Sequence, residues 1–190
     1  SIDVPSYNFN YFNVRNNAWD FLIKNKVNAY PLDLSKILRQ NNWYVCDYQT
    51  FAEYKHVSRK EVVKLNPDGF TAQDVNKNFL ICYNKQNTRQ RIRFTICHEI
   101  GHIVLGHLYK GEKLEKEANM FAARILMPMI LIKELNIDAP SDLAKLCDVS
   151  IEAAQFRLKR YEEIKSRERF YTNPLEKQLY KQLKDFLEKQ

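Results

Sequence analysis

The sequence predicts an α+β fold in which a small antiparallel sheet lies beside a helix carrying His98-Glu99-Ile100-Gly101-His102, with a helical region after it. Three observations predict it. Short aromatic and β-branched runs bounded by Asn, Asp and Gly fall in the first half of the chain, as strands do. An H-E-x-x-H pattern sits in an otherwise apolar helical stretch near the middle. From about residue 136 onward only helical patterns remain, which divides the chain into a core of residues 1–135 and a C-terminal helical region of residues 136–190 that packs on it.

In order along the chain, Asn16 to Lys26 predicts a short helix with Ala18, Trp19, Leu22 and Ile23 apolar, and Asp33 to Gln40 predicts a second. Trp43-Tyr44-Val45-Cys46-Asp47-Tyr48 follows an Asn-Asn turn and reads as a strand. Ser58 to Leu65 reads as another short helix. Residues 68–72 and 79–84 then form two strands of a hairpin joined around Val75-Asn76-Lys77-Asn78.

The helix of the H-E-x-x-H pattern begins near Thr88 to Arg91. Each helical residue turns roughly 100°, so His98 and His102 stand one turn apart on one face and can present two imidazoles to one ion. Imidazoles in a stretch as apolar as Ile100, Ile103, Val104 and Leu105 are costly to bury without a partner. A catalytic zinc site wants a third protein ligand and an open position. The next helix, Leu114 to Met127, offers Glu115 and Glu117. Glu115 shares its face with Ala118, Asn119 and Ala122, which are small or short enough for close approach. Glu117 lies roughly 200° round and faces away. Glu115 is therefore the expected third ligand and Glu117 the fallback. Glu99, roughly 100° from His98, is placed to act as general base toward a water at the ion. His107 is one residue short of the metzincin spacing, which falls on Leu108, and reads as a supporting or helix-end residue.

Arg93-Phe94-Thr95 running into His98-Glu99-Ile100-Gly101-His102, then Glu115-x-x-Ala118-Asn119-x-Phe121-Ala122 and Leu126-Met127-Pro128, resembles the ImmA/IrrE family of zinc metallopeptidases. The resemblance implies a zincin-like core with His98, His102 and Glu115 as zinc ligands and Glu99 as the catalytic glutamate. It further implies a bacterial cytoplasmic endopeptidase that cleaves a helix-turn-helix transcriptional repressor, derepressing a mobile element or stress genes. In proteases of the related thermolysin type a sheet edge receives the substrate as an added strand, and residues 79–84 are the candidate edge.

Beyond Pro128, Met129-Ile130-Leu131-Ile132 opens a short helix, and residues 141–154 show a helix, a short turn and a Ser-capped second helix, the pattern of a helix-turn-helix. The net charge of +7 permits nucleic-acid binding, and residues 155–190 carry ten Lys/Arg against six Asp/Glu. The charges alternate in sign, however, as on a solvated face. Ala153, Ala154, Phe156 and Leu158 are also too apolar for a helix that reads base edges. No specific DNA binding is expected, and the pair is expected to pack on the core. Pro174 to Lys189 predicts a last amphipathic helix.

No window of about 18 apolar residues predicts a membrane span, and no secretory signal is read. Cys46, Cys82, Cys97 and Cys147 are scattered without a C-x-x-C pair, which points to free thiols in a reducing cytosol. The Arg89, Arg91 and Arg93 trio opposes the helix dipole and so points to another task, such as binding an acidic substrate stretch or orienting carboxylates, with solvated surface arginines the commoner outcome. The rival reading from a different class is a non-proteolytic regulatory protein with a structural metal site that binds DNA or a transcription factor.

Overall fold

Turn and cap chemistry sets most of the element boundaries. The computed structural model describes residues 7–190, with side chains from residue 10 onward; residues 1–6 of the predicted core lie outside the described residues. The order is α1 (Tyr7–Lys24), α2 (Leu34–Gln40), β1 (Tyr44–Asp47), α3 (Tyr48–Lys55), α4 (Arg59–Leu65), β2 (Gly69–Gln73) and β3 (Phe79–Tyr83). Then follow α5 (Arg89–Val104), α6 (Glu112–Leu126), α7 (Met129–Glu134), α8 (Pro140–Cys147), α9 (Ile151–Ile164) and α10 (Pro174–Glu188). Asp33, Thr88, Ser150 and Asn173 cap α2, α5, α9 and α10 through side-chain oxygens that accept orphan backbone N–H groups. Ser58 and Glu61 form a reciprocal capping box on α4. The first helix starts well before the expected Asn16. Helix α3 replaces the end of the expected strand 43–48: Asp47 accepts from the Thr50 N–H and starts a helix where Tyr48 had read as strand.

The sheet has the strand order β1-β3-β2. Strands β2 and β3 form the expected antiparallel hairpin, but β1 joins β3 in parallel, with Cys46 opposite Cys82, so the sheet is mixed rather than purely antiparallel. The chain makes that parallel crossover through α3 and α4. Strand β3 therefore lies in the middle, and residues 79–84 offer no free edge. The edge near the histidine helix belongs to β2.

Alternation along β3 sends Ile81 into the main core and Cys82 into a smaller cluster with Tyr48, Ala52 and Val62. The main core runs through α1, α5, α6 and α7 and continues without a break into α8, α9 and α10, with Phe121, Ile125, Leu131, Leu143, Leu179 and Leu183 fully buried. Helices α5 and α6 approach closely at Gly101, where a Cβ would meet the Ala118 Cα, the Ala118 carbonyl oxygen and Phe121 Cδ1, each at 3.2 Å.

The arginines at the start of α5 hold carboxylates of this chain. Arg91 makes a double hydrogen bond to Asp68, and Arg89 and Arg93 both reach Asp148 in the α8–α9 turn. Arg157 on α9 donates to the Met127 carbonyl at 2.8 Å, and this bond and the two arginines on Asp148 link the helix-turn-helix-like pair to α5 and to the end of α6. Among the described residues no helix is long and apolar enough to cross a membrane, and all four cysteines are free.

Candidate metal centre

Gly101 lets α6 lie close enough to α5 for the carboxylate of Glu115 to reach the two imidazoles of the H-E-x-x-H turn. His98 Nε2 lies 2.9 Å from Glu115 Oε2, His102 Nε2 lies 3.1 Å from Glu115 Oε1, and the two Nε2 atoms are 3.1 Å apart. Glu99 Oε2 is 3.8 Å from His98 Nε2.

The far sides of the imidazoles determine which nitrogens carry protons. His98 Nδ1 faces the Asn119 amide oxygen at 2.7 Å and donates to it. His107 Nε2 donates to the Glu117 carboxylate at 2.8 Å, which leaves its Nδ1 to accept from His102 Nδ1, also at 2.8 Å. With both Nδ1 positions protonated, both Nε2 atoms are bare lone pairs. In the neutral rings two nitrogen lone pairs and a carboxylate oxygen thus converge, which is the chemistry of a cation site. Ligands at 2.0–2.1 Å from a tetrahedral ion stand ~3.3 Å apart, close to the separations here. His98, Glu99 and His102 present their ligand atoms within 4.8 Å of one another.

Burial, and then the neighbouring His98, hold His102 below the usual imidazole value, favouring the neutral ring that binds metals. Burial pushes the Glu99 carboxyl above the usual carboxylate range. The Thr71 hydroxyl on β2 donates to Glu99 Oε1 at 3.0 Å, so one oxygen is anchored and Oε2 is turned toward His98.

Sequence reasoning brought His98, Glu99, His102 and Glu115 to one place, and so does the structure. It missed the contributions of Thr71 and of the His107–Glu117 pair. Glu117 does turn away from His98, yet it is buried and bonded to His107. A Schellman turn returns His107 to the site. Gly106, at φ +68, lets the His107 N–H bond the His102 carbonyl and its own N–H bond that of Ile103. A glycine just past the last helical residue was the available signal. Asn119 was singled out only for its size.

A groove of about 1440 Å³ passes over these residues, lined by β2, by α5 and α6, and farther along by α9 and Tyr11. Tyr109 lines it and is largely exposed, whereas Tyr83 does not line it.

Comparison with known proteins gives a family match: the model of the IrrE N-terminal-like peptidase domain covers residues 61–159, just over half of the chain. The chain belongs to this family. The described residues have the mixed α and β architecture of this family, and the histidine–glutamate cluster lies inside the matched span. The radiation response metalloprotease IrrE of Deinococcus radiodurans is 36% identical over 99 residues, a match spanning 42% of this chain and 30% of that protein. The chain thus covers less than a third of the length of this IrrE relative.

Proposed function

We propose that the chain is a zinc-dependent endopeptidase in which His98, His102 and Glu115 hold the ion and Glu99 is the general base. The observation that carries this reading is the convergence of the His98 and His102 Nε2 atoms and the Glu115 carboxylate, with separations of 2.9 to 3.1 Å, beside a carboxylate that is not among them. A zinc ion held there would polarise the scissile carbonyl and acidify a water. Glu99, anchored by Thr71, uses its free oxygen to accept the proton of the attacking water and returns it to the leaving nitrogen. Asn119 and His107 keep the imidazoles in the ligating tautomer.

Strand β2 receives the peptide. Hydrogen bonds from Asn84 to the Asp68 carbonyl and from Asp74 to the Asn78 carbonyl mark the even-numbered residues of β2 as those bonded to β3. The backbone groups of Gly69, Thr71 and Gln73 therefore face outward, and Gly69 and Thr71 line the groove beside Glu99. The substrate is a helix-turn-helix transcriptional repressor, in the cytoplasm, and cleavage derepresses a mobile element or stress genes. The family resemblance supports this substrate class.

Incubation of the protein with the helix-turn-helix regulator encoded beside it is the test. Glu99→Gln keeps the side chain's size and is expected to leave zinc content near wild type while cleavage falls about 10²- to 10⁴-fold. A Gln variant that cuts at the wild-type rate would sink the base assignment. Relief of repression by both proteins without any cut would establish the non-proteolytic regulator instead.

A further inference from the structure

Two arginines at the far end of the groove lie almost fully buried, without a carboxylate partner among the described residues. Arg124 on α6 and Arg157 on α9 are each 6% exposed. Arg124 Nε and one terminal nitrogen of Arg157 have no hydrogen-bond partner among the described residues. Arg157 spends its Nε on the Met127 carbonyl, and Arg124 donates to the Tyr11 hydroxyl at 2.7 Å. A third arginine, Arg160, stands one helical turn along α9. Its guanidinium lies 5.5 Å from the centre of the Tyr11 ring and that of Arg124 lies 5.1 Å from it, so both charges crowd one aromatic side chain.

The acids nearby are occupied. Glu168 accepts from the Tyr11 hydroxyl, Glu176 accepts from the Tyr171 N–H, and Glu163 pairs at 3.6 Å with the half-exposed Arg160. Among the described residues no carboxylate forms an ion pair with Arg124 or Arg157. Buried guanidinium groups are ordinarily paired, because an unpaired donor forfeits its hydration without return. A pair kept this way at the wall of a groove marks a place where an anion completes the bonding.

We propose that Arg124, Arg157 and Arg160 form a subsite for an acidic side chain of the bound peptide, a carboxylate held about four residues from the bond that is cut. The three arginines and Tyr11 line the same groove as Glu99 and Glu115, so one extended peptide passes both. Glu115 and Arg124 are nine residues apart on α6, about 13 Å along a helix rising 1.5 Å per residue. An extended peptide advances ~3.3 Å per residue, so that span is about four residues. Charge complementarity selects the occupant, since the groove end carries an excess of positive charge that a neutral peptide would leave unpaired. The inference rests on the peptidase reading for the scissile bond and on the arginine cluster alone for the acidic preference.

The test uses binding, with cleavage read separately. Fluorescein-labelled nonapeptides of Ala and Leu carrying one Glu at successive positions, and their Gln counterparts, are titrated into the 190-residue Glu99→Gln protein and followed by anisotropy. The Glu peptide is expected to bind about ten- to a hundredfold more tightly than its Gln twin at one position, as a charge-assisted contact does. Arg157→Met and Arg160→Gln are each expected to reduce that preference. Arg157→Met also gives up the hydrogen bond to the Met127 carbonyl, so its Tm is expected to fall, and its effect on the preference is compared with that of Arg160→Gln, which leaves that bond in place. Should Arg157→Met fail to fold, the exposed Arg160→Gln carries the test. Equal binding of Glu and Gln peptides at every position, or a preference untouched by both variants, overturns the proposal even if the wild-type protein cuts. A Glu preference lost in the variants supports it, and absence of cleavage by the wild type would then sink the peptidase reading alone.

Discussion

Glu115→Ala and Glu117→Gln are expected to weaken metal binding for different reasons. Glu115→Ala removes one of the three converging groups, so zinc in the purified protein should fall to a small fraction of wild type by elemental analysis. Glu117→Gln keeps those groups and takes away the carboxylate behind His107, which loosens the orientation of His102. Loss of such an outer partner weakens metal affinity by about 10- to 100-fold, measurable by competition with a chromophoric chelator. The reverse order of the two effects would transfer the ligand role to Glu117. Glu115 was legible in the sequence because a helix's angular period alone separates it from Glu117 and puts it beside Ala118 and Asn119. The part played by Glu117 was not, because it depends on His107 folding back through the left-handed turn at Gly106, a non-periodic feature.

At the scale of elements, the meeting of α5 and α6 decides whether a carboxylate reaches the histidines. Gly101→Ala would raise helix propensity by up to about 1 kcal/mol, but its methyl would press on the Ala118 backbone at 3.2 Å. Zinc affinity is expected to fall more than Tm does, with isothermal titration and thermal melting read on the same sample; unchanged affinity would mean that the helices have room to part. The Arg91–Asp68 pair fixes the start of β2 against the start of α5. Its hydrogen bonds from Arg91 hold the Asp68 carboxyl below the usual carboxylate range. The pair's contribution is therefore complete above the unfolded value of about 4 and is lost as pH falls through the lower folded value. Asp68→Asn is expected to cost no more than about 1 kcal/mol at neutral pH, the pair being partly exposed, and denaturation midpoints of variant and wild type should converge below pH 4. The hairpin and the capped helices were readable locally. Which strand became the edge was not, because β1 adds to β3 across two helices and the intervening strand β2, and no local pattern records that pairing.

For the whole molecule, one apolar cluster contains Ala18 and Leu22 of α1, Phe121 of α6, Leu143 of α8 and Leu179 and Leu183 of α10. Unfolding of the full chain is accordingly expected as one cooperative transition, with circular dichroism and intrinsic fluorescence reporting the same midpoint. A separate early transition for residues 136–190 would contradict that continuity. The same packing turns Ala154, Arg157 and Leu158 of α9 inward. Duplex DNA binding should therefore be weak and fall steeply with salt, as phosphate contacts do; a sequence-selective complex surviving physiological salt would reopen the regulator reading.

The contact of Gly101 with Ala118 also has a meaning in polymer terms. His98 and Glu115 are the ends of a chain segment that must be brought together at an entropic cost. Here apolar burial between α5 and α6 already meets that cost, so an ion joining the two ends closes no loop of its own. Metal exchange should then resemble ligand binding to a finished frame more than the folding of a zinc finger. Chelation is expected to leave far-ultraviolet circular dichroism unchanged, and occupancy should follow the free ion concentration reversibly, allowing the supply of metal to set how much of the protein is competent at any moment.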